Sequence, residues 1–224
     1  MEILFADNHV IAASKPAGIP TQPSDGHKDS FEDRVKLWLR EKDGKTGNVF
    51  LHALHRLDTP VSGAVLFAKT DKALSRLNAS MREKKHKKIY MAVVEGIFKN
   101  TKGVLRHHHS HMRFMARITD KPHEGSKEAV LSYEVKAVDG GRSLVEVTLD
   151  TGRYHQIRAQ LAHIGHPIFS DEKYGSRNHM DNGAIALHHY RMAFVHPVSK
   201  EFITVTAPLP DAFPFNRFSD PDTF

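Results

Sequence analysis

Short apolar runs recur along the chain and predict β-strands. Residues 64–70 (AVLFAKT) and 89–98 (IYMAVVEGIF) are nearly continuous apolar runs, which are typical of buried strands. Residues 3–15 (ILFADNHVIAASK) predict two strands joined by a tight turn at Asp7-Asn8. Residues 102–119 alternate between apolar and polar positions and predict another strand or a hairpin. Strands are therefore the main predicted element in the first half of the chain.

The second half continues in the same way. Residues 129–138 and 143–149 predict two strands around a glycine-rich turn. Three further short strands are predicted at 184–189 (AIALHH), 191–196 (RMAFVH) and 201–209 (EFITVTAPL). Because strands come in runs and do not alternate strictly with helices, the pattern predicts an α+β fold with a mixed, mainly antiparallel sheet and a few flanking helices.

Three segments have apolar residues at helical spacing. Ser30 is the predicted N-cap of the first helix, and Thr70 or Asp71 that of the second. The third helix is predicted to start at Thr151-Gly152. The predicted inward positions are Phe31, Val35, Trp38 and Leu39, then Leu74, Leu77 and Met81, then Ile157, Leu161 and Ile164. The sequence shows no internal repeat and no interdomain linker, so we predict one domain over residues 1–224.

The net charge is concentrated in one segment. Residues 69–88 contain eight basic and two acidic residues, a net charge of +6 that equals the net charge of the whole chain. The basic residues are Lys69, Lys72, Arg76, Arg82, Lys84, Lys85, Lys87 and Lys88. A concentrated cationic patch attracts polyanions, whereas a solvated helix face with the same lysines needs no partner. The charge therefore favours nucleic acid or another polyanion as a partner.

Composition and missing motifs exclude several classes of protein. The chain has no cysteine, which removes disulfides, thiol nucleophiles and zinc–thiolate sites. Its N-terminus lacks a signal-peptide pattern, and no apolar stretch approaches the roughly 18 residues of a membrane-spanning helix. The glycine motifs of dinucleotide enzymes and the nucleophile elbow of serine hydrolases do not occur. We therefore expect a protein of the cytoplasm, without a membrane contact or a nucleotide cofactor.

Seventeen histidines raise the question of a metal site. On a strand, His107, His109 and His111 would share one face and could bind zinc. No carboxylate lies nearby in sequence to support them, and the flanking Arg106 and Arg113 would repel a cation. We therefore expect no metal, and we interpret these histidines as solvated or RNA-facing.

Three stretches carry a more specific pattern. They are HRLDTPVSG at 55–63, LDTGRYHQIRAQLAHIGHPIFSDEKYG at 149–175, and ALHHYRMAFVHPVSKEFITVTAPLP at 186–210. In this order they closely resemble the RluA-type pseudouridine synthases. Weaker similarity follows the same order at 3–18, 87–96 and 125–138. The resemblance implies the pseudouridine synthase fold, with an active-site cleft between two lobes.

The resemblance also implies an activity. The enzyme would isomerise uridine to pseudouridine in structured ribosomal or transfer RNA, as a monomer and without metal or organic cofactor. Asp58 would be the nucleophile, attacking ribose C1′ or assisting formation of a glycal intermediate. Arg158 would pair with Asp58 and keep it ionised, since a guanidinium favours the charged carboxylate. Tyr90 would stack on the flipped base, and Leu187 would line the uridine pocket.

Further substrate contacts are predicted at Arg56, His55, Arg153 and Gln156. Arg56 is interpreted equally as an RNA contact and as a brace for its loop. An inactive RNA-binding protein on the same fold is the main alternative, and the intact catalytic positions argue against it. A histidine-dependent metal hydrolase is a weaker third interpretation.

The chain also departs from the family pattern. The family usually has threonine at the position of Val61 and histidine at that of Gln160, and often has threonine at that of Tyr154 and glycine at that of Ser170. Many members carry a small RNA-binding domain before the catalytic part. We expect no such separate N-terminal domain here, because the similarity begins at residue 2.

Overall fold

A computed structural model of the protein describes residues 1–23, 29–44, 47–180 and 182–218. The chain forms two compact units. Unit 1 comprises Met1–Lys88 and His189–Pro208, and unit 2 comprises Ile89–His188 and Leu209–Phe224. Unit 1 is therefore built from the N-terminal segment and a second segment nearer the C-terminus, whereas most of unit 2 is one continuous segment.

Antiparallel strands and two helices build unit 1. Its strands are β1 (Glu2–Ala6), β2 (Val10–Lys15), β3 (His52–Ala53), β4 (Ser62–Ala68), the part of β10 (Leu187–Val195) from His189 onward, and β11 (Phe202–Thr206). β2 pairs with β1 and β4, β3 pairs with β4, and β11 pairs with β10. The predicted turn after β1 forms because Asp7 Oδ1 accepts hydrogen bonds from the backbone N–H groups of His9 (2.8 Å) and Val10 (2.7 Å).

The helices of unit 1 are α1 (Phe31–Asp43) and α2 (Asp71–Arg82). Ser30 caps α1 by accepting a hydrogen bond from the N–H of Asp33, and Thr70 caps α2 in the same way. Thr70 is therefore the N-cap of α2, and Asp71 is its first residue. The core contains mostly small and branched residues from β2, β4, α2 and β11, together with Met192 and Phe194 of β10.

Unit 2 is mainly a five-stranded antiparallel sheet. Its strands are β5 (His86–Glu95, from Ile89 onward), β6 (Lys102–Met112), β7 (Met115–Thr119), β8 (Lys127–Asp139) and β9 (Arg142–Leu149). They lie in the order β5-β9-β8-β6-β7. Helix α3 (Gln156–His163) contacts β6 and β7. The predicted α+β fold with a mainly antiparallel sheet is confirmed, and the hairpin predicted at 102–119 is β6 and β7.

Two predicted elements were wrong in detail. The segments 184–189 and 191–196 were predicted as separate strands, but Leu187–Val195 is one strand because no glycine or proline interrupts it. The third helix starts at Gln156, not at Thr151-Gly152. The side-chain oxygen Oε1 of Gln156 accepts hydrogen bonds from Thr151 Oγ1 (2.8 Å) and Arg153 N–H (3.0 Å), which holds the preceding residues in a turn.

Candidate active site

Asp58 lies in a turn between β3 and β4. Its carbonyl oxygen accepts a hydrogen bond from the N–H of Val61 at 3.0 Å, which closes the turn. The side chain of Val61 is buried, with 2% of its surface exposed. A valine methyl suits this position because a buried threonine hydroxyl would need a hydrogen-bond partner. The departure from the family pattern at Val61 therefore has a packing explanation.

The residues on both sides of Asp58 are fastened to the segment 18–21. The hydroxyl of Thr21 accepts a hydrogen bond from the N–H of Leu57 and donates one to its carbonyl oxygen, both at 3.0 Å. The N–H of Gly18 donates to the carbonyl oxygen of Thr59 at 2.8 Å. These bonds fix the backbone from which the Asp58 side chain projects.

Lys15 is a buried cation close to Asp58. Its side chain is fully buried at the end of β2, and Nζ donates to the carbonyl oxygens of Pro16 (3.0 Å), Ile19 (2.8 Å) and Thr59 (3.4 Å). Burial lowers the pKa of Lys15 to about 8, and the negative charge of Asp58 opposes that shift. We did not predict a role for Lys15, although a lysine that ends an apolar strand signals a buried charge.

Gly63 allows a close backbone approach in the same motif. It has φ +117°, and a Cβ atom at this position would overlap the backbone of His189. Any other residue would be strained here and would displace β10. The glycine that ends the HRLDTPVSG stretch is therefore required by packing.

His55 is half-buried and neutral. Its Nε2 accepts a hydrogen bond from the N–H of Leu66 at 3.3 Å, and its ring meets the His189 ring edge-on, with the centroids 5.2 Å apart. Burial, followed by the nearby charges of Lys88, His189 and His86, lowers the pKa of His55 well below its usual value. These contacts give His55 a role in packing, and its predicted substrate contact stays a prediction.

Arg158 forms a buried ion pair in unit 2. Its Nε and NH2 groups donate to the two carboxylate oxygens of Asp171 at 2.7 and 2.8 Å. Its NH1 group donates to Nε2 of His155 at 3.1 Å, and the guanidinium lies 5.2 Å from the centre of the Tyr174 ring. We predicted Asp58 as a partner of Arg158 and did not predict the contact with Asp171, because no motif role was assigned to that carboxylate.

Tyr90 and Leu187 belong to the same unit as Arg158, whereas Asp58 belongs to unit 1. Tyr90 lies in β5 opposite Val147 of β9, and its side chain is buried. Leu187 is buried at the start of β10. The pairing of Asp58 with Arg158 and the stacking role of Tyr90 stay predictions.

Two further predicted contacts lie at the start of α3. The side chain of Gln156 is buried, and its Nε2 donates to the carbonyl oxygen of Val130 (3.1 Å) and to Oε1 of Gln160 (2.9 Å). Arg153 is exposed, and its Nε donates to the carbonyl oxygen of Glu128 at 3.2 Å. Gln156 thus braces the helix start, while Arg153 stays available to solvent.

The basic segment 69–88 is mostly on the surface. Its exposed cations are Lys72, Arg76, Arg82, Lys84, Lys85 and Lys87. Lys69 is half-buried, and its Nζ donates to the carbonyl oxygen of Asp7 at 2.6 Å. Lys88 is partly buried as well, and burial lowers its pKa to about 8. The two residues at the ends of the segment are thus more enclosed than the six between them.

His107, Asp120 and His163 bring three potential metal-ligand atoms within 4.8 Å of one another. Asp120 supplies the carboxylate that His107 lacks in the nearby sequence. The amide nitrogen of Gln160 donates to Nδ1 of His107 (2.9 Å) and to the carbonyl oxygen of Ala129 (3.1 Å). The His107 hydrogen therefore lies on Nε2, which faces Asp120 at 3.9 Å. A ring nitrogen that carries hydrogen does not ligate a metal, so this tautomer disfavours a metal at His107, and the absence of a metal stays an expectation.

Comparison with known proteins assigns the family. A family model described as RNA pseudouridylate synthase matches residues 9–163, which is more than half of the chain. The chain belongs to this family. It is therefore an isomerase that converts uridine to pseudouridine in RNA. The match includes Asp58, Tyr90 and Arg158.

Several relatives match along most of this pseudouridine synthase. It is 35% identical over 219 residues to the RNA pseudouridine synthase YhcT of Bacillus subtilis, covering 94% of this chain and 69% of that protein. It is 34% identical over 232 residues to tRNA pseudouridine synthase C of Haemophilus influenzae, covering 93% of each. It is 31% identical over 223 residues to ribosomal large subunit pseudouridine synthase C of Buchnera aphidicola, covering 94% of this chain and 68% of that protein.

A solved structure supports the fold. Human RNA pseudouridylate synthase domain containing 4 superposes with a TM-score of 0.76 at 20% sequence identity, covering 93% of this chain and 88% of that one. Within the described residues, no helix has the length and apolar character needed to cross a membrane.

Proposed function

We propose that this pseudouridine synthase modifies specific uridines in structured ribosomal or transfer RNA, with Asp58 as the nucleophile. The observation that carries the assignment is the fastening of the Asp58 turn. Leu57 and Thr59 are both hydrogen-bonded to the segment 18–21, and Lys15 lies close enough for its charge to interact with that of Asp58. A nucleophile must meet one substrate atom, so a rigid backbone around it favours reaction.

The reaction is an internal transfer of the base. The bond from ribose C1′ to uracil N1 breaks, and a bond from C1′ to C5 forms. The proton on C5 leaves, and N1 gains a proton, so no oxidant or reductant is needed. In one route Asp58 attacks C1′ and is displaced by C5; in the other it removes the proton from C2′, and a glycal intermediate forms. Either route requires the ionised carboxylate.

The target uridine must leave its stack in the RNA to reach Asp58. Flipping a base costs a few kcal/mol, and stacking on an aromatic side chain such as Tyr90 returns about 1–3 kcal/mol. Leu187 supplies an apolar wall for the uracil ring. Arg158 donates hydrogen bonds from a fixed guanidinium. These roles rest on the match to the family motifs and on the burial of the three side chains.

Recognition of the RNA rests on charge. The six exposed cations of the segment 69–88 can neutralise phosphates, and each neutralised phosphate adds salt dependence to the affinity. Arg56, two residues before the nucleophile in sequence, and Arg153 are the further proposed contacts. The relatives include both a ribosomal and a transfer RNA pseudouridine synthase, so both RNAs are candidate substrates.

Mapping of pseudouridine in cells tests the proposal. Ribosomal and transfer RNA would be compared between cells with the protein, cells without it, and cells complemented with Asp58→Asn. We expect one or a few pseudouridines to disappear without the protein and to stay absent with the variant. In vitro, release of tritium from RNA labelled at uracil C5 reports the same reaction.

Asp139→Asn is the matched control, because Asp139 is a carboxylate at the end of β8 in unit 2 that pairs with Arg217. It should restore every site. Restoration by Asp58→Asn would contradict the nucleophile assignment. Unchanged RNA in cells without the protein, together with RNA binding by the purified protein, would favour the inactive RNA-binding alternative.

A further inference from the structure

Arg158 is enclosed by three side chains of unit 2 that no family motif role explains. We infer that Asp171, His155 and Tyr174 are positioning residues, which hold the Arg158 guanidinium in one orientation for the reaction. We call these three residues the clamp. The inference rests on the proposed function, because it gives Arg158 a part in turnover. It adds that Arg158 acts as an oriented hydrogen-bond donor while its guanidinium is ion-paired with the buried Asp171.

Asp171 fixes the plane of the guanidinium. The two parallel hydrogen bonds to Nε and NH2 form a fork that sets both position and rotation of the group. The side chains of Arg158 and Asp171 are only 5% and 1% exposed. A buried carboxylate at this distance neutralises the charge of Arg158. The guanidinium still presents donors in a fixed direction, since it carries five N–H groups.

His155 holds the third nitrogen. The guanidinium can only donate, so Nε2 of His155 is the acceptor in the 3.1 Å contact with NH1. The ring hydrogen must then lie on Nδ1, which donates to the Tyr174 hydroxyl at 2.8 Å. His155 also adopts a left-handed backbone conformation, with φ +51°, directly before α3. A non-glycine residue in this conformation is strained, which is common where a side chain is placed for function.

Tyr174 completes the enclosure from a short 3-10 helix (Glu172–Tyr174). Its hydroxyl also accepts a hydrogen bond from the N–H of Ala116 in β7 at 2.8 Å, which ties the clamp to the sheet of unit 2. Burial raises the pKa of Tyr174 to about 12. The phenol therefore stays neutral at physiological pH and serves as a support, while its ring lies against the guanidinium.

Asp171→Asn separates orientation from charge. If Arg158 worked through its net charge, removal of the neutralising carboxylate would leave turnover unchanged or raise it. If Arg158 works through its orientation, the loss of the fork should lower kcat by about 10- to 100-fold, because small misplacements of a reacting group are costly. KM for the labelled RNA should change by less than about twofold, since the clamp makes no proposed contact with the RNA backbone.

Glu95→Gln is the matched control. Glu95 is a carboxylate at the end of β5 that accepts hydrogen bonds from Ser176, Asn178 and the N–H of Arg177, so it fastens the segment just after the clamp. This variant should lose stability without a comparable loss of kcat. Equal losses of kcat in Glu95→Gln and Asp171→Asn would overturn the inference, since they would show a general structural effect.

His155 gives a readout that does not depend on turnover. Nitrogen NMR of labelled protein should show the tautomer with hydrogen on Nδ1 in wild type, and a mixture of tautomers in Arg158→Met. The opposite tautomer in wild type would overturn the clamp even if the enzyme is active.

Kinetics of two His155 variants give a second test. His155→Gln keeps a hydrogen-bond acceptor and a donor, so it should recover much of the kcat that His155→Leu loses. Equal kcat for these two variants would also overturn it.

The tests distinguish failure of the clamp from failure of the proposed function. Wild-type protein that forms no pseudouridine in ribosomal or transfer RNA would defeat the proposed function before any variant is compared. Wild-type protein that is active, with an Asp171→Asn variant of equal kcat, would defeat the clamp alone. If Asp171→Asn does not fold, Tyr174→Phe, which keeps the ring and removes the hydroxyl, should still lower kcat with KM unchanged.

Discussion

Replacing Lys15 with methionine removes a buried ammonium group whose charge interacts with that of Asp58. Burial lowers the pKa of Lys15 from 10.5 to about 8 in the folded protein. Since one pKa unit corresponds to about 1.4 kcal/mol, the folded protein binds this proton roughly 3 kcal/mol more weakly than the unfolded chain does. That difference makes the stability of the protein depend on pH in a window set by Lys15.

The sign of this dependence follows from which state holds the proton. Below pH of about 8 both states are protonated, and the folded protein bears the full cost of the buried charge. Between about 8 and 10.5 the folded state loses the proton first, so stability rises with pH. The free energy of unfolding of wild type should therefore rise by roughly 3 kcal/mol relative to Lys15→Met across this window. Lys88 titrates in the same window but is present in both proteins, so it cancels in the comparison.

Urea denaturation at a series of pH values measures this difference, and the matched control is Lys102→Met, which removes an exposed lysine paired with Glu134. The control should show no pH-dependent difference from wild type in this window.

A further variant tests the charge interaction between Lys15 and Asp58. Asp58 opposes the fall in the Lys15 pKa, so Asp58→Asn should lower that pKa further and start the rise at lower pH. A flat difference for Lys15→Met, or no shift with Asp58→Asn, would refute the reasoning.

Three further predictions concern the turn, a strained residue and the basic segment. Thr21→Val should destabilise the protein by about 2–4 kcal/mol in urea denaturation, because Leu57 loses both of its buried hydrogen bonds. A change below about 0.5 kcal/mol would show that Thr21 does not fasten the Asp58 turn. Ser170→Gly should change the free energy of unfolding by less than about 1 kcal/mol. It relieves the strain of a φ of +68°, but it removes the hydrogen bonds of the hydroxyl with Ala184 and Met180. A large loss of stability would show that the hydrogen bonds of the hydroxyl outweigh the backbone strain. Replacing Lys84, Lys85 and Lys87 with glutamine should weaken RNA binding by the Asp58→Asn protein. The slope of log affinity against log salt concentration should become shallower by about 0.7–0.9 per lost phosphate contact. An unchanged slope would show that the RNA binds elsewhere.

Local patterns predicted most of the secondary structure, because each element carries its own signals. Ser30 and Thr70 cap their helices, and the turn at Asp7 forms through hydrogen bonds that span three residues or fewer. The start of α3 was missed because the side chain of Gln156 holds the preceding residues in a turn. Side-chain bonds of this kind compete with the helix and leave no periodic pattern.

The candidate site was predicted from motifs, whereas its supporting contacts were not. Asp58 and Arg158 stand out in the sequence because their neighbours match a family pattern. Lys15 contacts Thr59 across 44 residues, and Thr21 contacts Leu57 across 36. Such contacts depend on the pairing of strands, which periodicity does not specify. The sequence does not show that Ser170 occupies a position that favours glycine. Only the structure shows its positive φ of 68°.

The discontinuity of unit 1 has a consequence for biosynthesis. Its core includes Val10, Leu66 and Leu77 from the beginning of the chain and Phe194 and Val205 from near the end. During translation these first residues leave the ribosome without the strands that cover them, and 100 residues of unit 2, Ile89–His188, are made in between. Unit 2 is nearly continuous and can fold first, since domains generally fold as their sequence emerges. The turn that holds Asp58 is therefore among the last parts of the nascent protein to be secured, and truncation before β11 would leave it on an unfinished core.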